Sequence, residues 1–127
     1  MDSNTNSINW FEIPVKDMAR AKHFYQTIFG IHMEEMEMGG MLMAMFPYNN
    51  GSGKVSGALV KSDYQHPSLD GTLVYLNANP AMDDIIERIK NEHGEIIMDK
   101  TLITPEIGYM AYFLDTEGNR MALHSQQ

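Results

Sequence analysis

The sequence predicts an α+β fold: two tandem βαβββ modules whose eight strands curve into one cradle with the helices outside. Three observations lead there. Amphipathic helical stripes begin near Met18 and Met82, and each follows a stretch of strand-like alternation. Three further strand patterns follow each helix. The glycines that close the helices, Gly30 and Gly94, stand about half the chain apart, as in a duplicated structural unit. The length of 127 residues suffices for one compact domain and is short for two. The predicted division is a flexible tail over residues 1–7, one module over 8–61, a polar linker over 62–70, and a second module over 71–127.

In INWFEIPV, Ile8 to Val15, Trp10, Glu12 and Pro14 alternate with Phe11, Ile13 and Val15, the period-two signature of a strand. Asp17 is placed to cap a helix whose apolar stripe is Met18, Ala21, Tyr25, Ile28 and Phe29, with Gly30 closing it. Next comes MEEMEMGGMLMAMFP, Met33 to Pro47, which holds half of the twelve methionines. Gly39-Gly40 suits the positive φ values of a two-residue hairpin turn. That turn sets Met38 opposite Met41, Met36 opposite Met43 and Glu34 opposite Met45. One face is then Met36, Met38, Met41, Met43 and Met45, while the other mixes Glu35 and Glu37 with Leu42, Ala44 and Phe46. A strand over Val55–Lys61 completes the module.

The second module repeats the plan. Gly71 to Ala78 alternates as a strand, and Asn79-Pro80 offers an N-cap followed by proline at the first helical position. Met82, Ile85, Ile86 and Ile89 form the helical stripe. Strands over 95–103, 109–114 and 120–125 follow, the last two joined by DTEGN.

Composition narrows the function. A hydrophobic fraction of 43% with 20% charged residues is that of a folded globular domain. A net charge of −8 argues against a nucleic-acid partner, whose phosphates require cationic side chains, and suits a cationic ligand. With no cysteine, disulfides, thiolate nucleophiles and cysteine metal sites are excluded. MDSNTNS lacks the features of a secretory leader, and no apolar run approaches a membrane span, so a cytoplasmic protein is expected. GSGKVSG lacks the first glycine of a phosphate-binding loop, and neither G-x-S-x-G nor H-E-x-x-H occurs.

FEIPVKDMARAKHFYQTIFG (Phe11 to Gly30), SGALVK (Ser56 to Lys61) and AYFLDTEGNRMALHS (Ala111 to Ser125), in this order within paired modules, resemble the vicinal oxygen chelate superfamily of glyoxalases, bleomycin-resistance proteins and extradiol dioxygenases. The resemblance implies a homodimer with a small-molecule site inside the cradle. It also implies, in the enzymes, a divalent metal held by His, Glu or Gln from the first and last strands of each module. The corresponding positions here are Trp10, Gly57 or Ala58, Thr72, and Ala122. None is a strong ligand for a divalent cation, so no metal is expected unless its ligands are displaced.

Of the five histidines, His23, His32, His66 and His93 fall on surface or helix-end positions. His124 stands two residues beyond Ala122, as Glu12 stands two beyond Trp10. Both are expected to face the groove, where a carboxylate and an imidazole would form an acid/base pair or half a metal site. The expected lining is Trp10, Thr72, Val74, Arg120 and Ala122, with Tyr109 at the rim and the five hairpin methionines as adjustable walls. The favoured function is metal-free binding, in sequestration or resistance, of a small aromatic or cationic molecule. The alternatives are a glyoxalase-like lyase, isomerase or dioxygenase, using displaced ligands or Glu12 and His124, and a protein-interaction module with a filled cradle.

Overall fold

A computed structural model describes residues 1–127. The element order is β1 (Trp10–Pro14), α1 (Met18–Phe29), β2 (Glu34–Met38), β3 (Met41–Met45), β4 (Ser56–Lys61), β5 (Tyr75–Asn77), α2 (Met82–Asn91), β6 (Glu95–Thr104), β7 (Gly108–Leu114) and β8 (Arg120–Ser125). The two βαβββ modules are present. Their strands form two separate four-stranded sheets, ordered β1-β4-β3-β2 and β5-β8-β7-β6. In each, the first strand of the module lies at the edge, parallel to the module's last strand.

Local chemistry fixes the elements. The Asp17 side chain accepts a hydrogen bond from the Arg20 N–H at 3.0 Å, capping α1, and Gly30 ends the helix in the left-handed region. Gly39 and Gly40 both have positive φ, 58° and 82°, which is what a two-residue turn between right-twisted strands requires. The hairpin register follows from that turn: Glu34 faces Met45, Met36 faces Met43, and Met38 faces Met41.

The second module departs from expectation at its start. Strand β5 has only three residues, and α2 is capped at Ala81, without a side-chain bond, rather than at Asn79. The Asn79 Oδ1 instead accepts the Gln126 N–H at 2.8 Å, tying down the end of β8. Asp83 and Asp84 in the first turn of α2 favour the positive end of the helix dipole. At the other end of α2, His93 rather than Gly94 adopts positive φ.

One core joins the modules. Ile13, Ala44 and Leu59 from the first sheet, Phe24, Tyr25 and Ile28 from α1, Ile86 and Ile89 from α2, and Ala111, Phe113 and Leu123 from the second sheet belong to a single buried cluster. Phe24, absent from the expected stripe, packs between Tyr25 and Phe113 with ring centroids 5.1 and 6.2 Å away. The other face of the first sheet carries a small separate cluster of Met43, Ala58 and Val60, flanked by Trp10, Met41 and Met45. The thioether face of the hairpin therefore points away from the helices.

A polar latch closes the junction between modules. The β7–β8 turn reaches the start of α1, where the Glu117 carboxylate accepts the N–H groups of Lys16 and Asp17, each at 2.8 Å, and the Arg20 guanidinium at 2.7 and 3.1 Å. Burial alone would raise the Glu117 carboxyl; these bonds outweigh it and hold it below the ordinary glutamate range. Asp115 accepts the Tyr25 hydroxyl at 2.7 Å. Burial, reinforced by that carboxylate, pushes Tyr25 well above the usual phenol range, so it remains a donor.

Candidate ligand site

A cavity of about 900 Å³ opens where the two modules meet, within the range of small-molecule pockets. One wall is aromatic. Phe11 on β1 lies across from Gly57 on β4, and a β-carbon at Gly57 would collide with the Phe11 carbonyl and ring. The missing side chain lets the ring settle beside Phe46, 5.5 Å away between centroids, while Tyr25 packs behind at 5.7 Å from Phe46 and 6.5 Å from Phe29. Phe11, Phe29, Ile31 and Phe46 face the space, together with Pro47 and Val55.

The second module supplies the opposite wall from the chain over residues 72–77 and from the first two turns of α2. Val74 and Leu76 contribute apolar surface; Asn77, Asn79, Asp84 and Arg88 contribute polar groups. Arg88 also donates to the Ile28 carbonyl at 3.2 Å, which fixes α2 against the end of α1. Ser56 has its hydroxyl turned to the carbonyls of Phe46 and Pro47. The site is thus mostly hydrocarbon with a small set of polar anchors along α2 and β5, suited to hold an apolar body by one end.

The structure separates the residues expected to share a groove. Thr72 and Val74 line this cavity, but not on the same sheet face as Arg120, Ala122 and His124. Parallel pairing sets Tyr75 beside Ala122, Leu76 beside Leu123 and Asn77 beside His124, and Val74 and Leu76 pack toward the helix-side core. Alternation counted from Gly71 was one residue out of phase with β8. Tyr109, expected at the rim, pairs with Ser125 and shares the face of Ala111 and Phe113, packed on the core with the Lys100 ammonium 4.5 Å above its ring. It is not at a groove rim.

Trp10, Glu12 and the five methionines occupy the helix-free face of the first sheet, where Glu34, Met45, Ala58 and Glu12 form one cross-strand row. Trp10 meets Tyr48 edge-on at 6.1 Å. Arg120, Ala122 and His124 lie on the corresponding face of the second sheet, next to Leu114, Tyr112 and Met110. Glu12 and His124 are not bonded to each other. Glu12 accepts the Gln65 amide at 2.8 Å, and the His124 Nε2 lies 2.7 Å from the Ile107 carbonyl, to which it donates. Glu12 is thus committed to the linker and His124 to its own module.

The aromatic wall has no local signature, because alternation groups Phe11 and Phe46 with their own strand neighbours and does not record that they meet. The available signal was Gly57, whose lack of a side chain permits the close approach of Phe11. Asp84 and Arg88, an i, i+4 pair beside the α2 stripe, carry no motif that marks a site.

Residues 8–47 match the family model described as bleomycin resistance protein-like N-terminal. No curated protein matches the sequence. Solved structures match over nearly the whole chain. A glyoxylase/bleomycin resistance protein/dioxygenase domain from Frankia sp. EAN1pec superposes with a TM-score of 0.70 at 14% identity, covering 98% of this chain and 100% of that one.

The fold is that of the vicinal oxygen chelate superfamily. Hypothetical protein SA1046 from S. aureus gives a TM-score of 0.67 at 16% identity and 95% coverage of both chains. The genomically encoded fosfomycin resistance protein FosX from Listeria monocytogenes gives 0.61 at 20% identity, covering 97% of this chain and 92% of its own.

The side chains at the positions that the sequence resemblance aligns with metal ligands are poor donors for a divalent ion. Trp10 offers an indole donor, and Ala58 and Ala122 offer fully buried methyl groups. Thr72 offers only a neutral hydroxyl, a poor ligand for such a cation. No three His, Cys, Asp or Glu side chains cluster so that they could hold a metal ion. No helix is long and apolar enough to cross a membrane.

Proposed function

We propose that the protein binds a small, largely aromatic molecule without a divalent metal, in sequestration or resistance rather than turnover. The cavity at the module junction carries this reading. Its volume of about 900 Å³ and its wall of phenylalanines provide area to desolvate an apolar guest, at roughly 25 cal/mol per Å² buried. Asp84 in the lining offers an acceptor to a ligand bearing a donor or positive charge. The similarity of residues 8–47 to the bleomycin resistance protein-like model supports a resistance-type role.

The test is a titration with N-phenylnaphthylamine, a neutral aromatic fluorophore. Saturable enhancement at one molecule per chain is expected. Val74→Trp, which projects an indole into the space, should abolish it while the melting temperature is retained. A wild-type protein with no saturable enhancement, or a variant that binds as before, would overturn the proposal.

A further inference from the structure

The five methionines of the β2–β3 hairpin are not accounted for by the cavity, since none of them lines it. Burial alone does not explain them either. A strand face that needs only apolar area is usually filled by β-branched and aromatic residues, whereas this one repeats an unbranched thioether at Met36, Met38, Met41, Met43 and Met45. What distinguishes methionine from those residues is its sulfur, a soft and polarizable neutral donor.

The register gathers the sulfurs. Met36 lies directly opposite Met43 and Met38 opposite Met41. Opposed residues project to one side, with Cα atoms about 5 Å apart. Successive pairs on the same face are two residues apart along the strand, about 7 Å. Four flexible side chains thus rise from a patch small enough for three sulfurs to converge on one ion. Met43 forms a floor at 4% exposure, while Met36 and Met38 remain 43% and 52% exposed, leaving a route of entry.

Charge favours a cation there. Glu34 shares the face, two residues from Met36 and across from Met45, with one carboxylate oxygen 3.1 Å from His32 Nε2, while Glu35, 3.7 Å from the Lys22 ammonium, and Glu37 occupy the reverse side of β2. Thioethers are neutral and bind without losing a proton, and nearby carboxylates raise the local concentration of a cation. Soft sulfur ligands select Cu(I) over hard divalent ions. We infer that Met36, Met38, Met41 and Met43 form a thioether site for a soft monovalent cation, Cu(I). It is separate from the junction cavity, which none of these methionines lines.

The experiment uses the full chain and Ag(I) as a redox-inert substitute, followed by methionine methyl NMR signals, with Cu(I) competition against a chromophoric chelator under anaerobic reducing conditions. The expected result is saturation at one ion per chain, with shifts confined to the hairpin methionines and none at exposed Met1. The Met36→Leu, Met38→Leu, Met41→Leu triple variant keeps the apolar volume and should lose binding, with its melting temperature and N-phenylnaphthylamine affinity unchanged. Should one variant fail to fold, Met38→Leu alone should still weaken Ag(I) binding. The inference is overturned if no saturable shift appears, if Met1 responds equally, or if the folded variants retain the ion.

Discussion

Replacing Glu117 with alanine tests whether the β7–β8 turn holds the two modules together. The Glu117 side chain is fully covered, and its carboxylate is the only acceptor recorded for the Lys16 and Asp17 N–H groups at the entry to α1. A hydrogen bond to a charged acceptor contributes about 1.5 kcal/mol. Two such bonds give about 3 kcal/mol, and Arg20 adds little because its side chain is half exposed and rehydrates when released. At this chain length about 3 kcal/mol corresponds to a melting temperature lower by roughly 10 °C and, with an m-value of about 1.5 kcal/mol/M, a urea midpoint lower by roughly 2 M.

The same carboxylate predicts a pH dependence. Its folded value lies below the ordinary glutamate range. Its stabilisation is therefore complete above the unfolded value of about 4.3 and is lost as pH falls through the lower folded value. Urea midpoints measured from neutrality down into that acid range should converge for wild type and Glu117→Gln at the low end. A Glu117→Ala protein within about 0.5 kcal/mol of wild type at neutral pH would refute the latch.

Tyr25→Phe should cost about 1.5 kcal/mol in urea unfolding, because the buried hydroxyl donates to Asp115 across the junction; unchanged stability would show that the bond contributes nothing. Gly57→Ala should destabilise by about 2 kcal/mol and weaken N-phenylnaphthylamine binding, since the added methyl displaces Phe11 from the cavity wall. Equal fluorescence titrations would contradict the assignment of that wall. Trp10→Ala should leave the fold and the fluorophore affinity intact, as Trp10 does not line the cavity; a loss comparable to that of Val74→Trp would move the site to the helix-free face.

Much of this protein is legible in its sequence because its strongest signals are local. Asp17 caps α1 through a neighbour three residues away, and the β2–β3 register follows from the two glycines between those strands. The paired modules follow from order and spacing. Where a signal depended on distant partners, local reading failed. Asn79 has the chemistry of a helix cap, but its side chain is claimed by Gln126. Thr72 and Val74 line the cavity but do not share a face with Ala122 and His124, because a strand's phase is set by the strand it pairs with, and one residue of slippage exchanges the faces.

The sequence by itself determined the secondary elements, the duplicated modules and the grouping of five thioethers on one strand face, since each depends on the 3.6- or two-residue periodicity of a single segment or on a single turn. Only the tertiary structure decided that those thioethers face away from the helices, that Glu117 ties the modules together, and that Phe11, Phe46, Val74 and Arg88 surround one space. The physical reason is that a cavity arises from how two packed sheets and their helices fail to fill the volume between them. Its walls come from residues far apart in the chain, and no local pattern records that they meet.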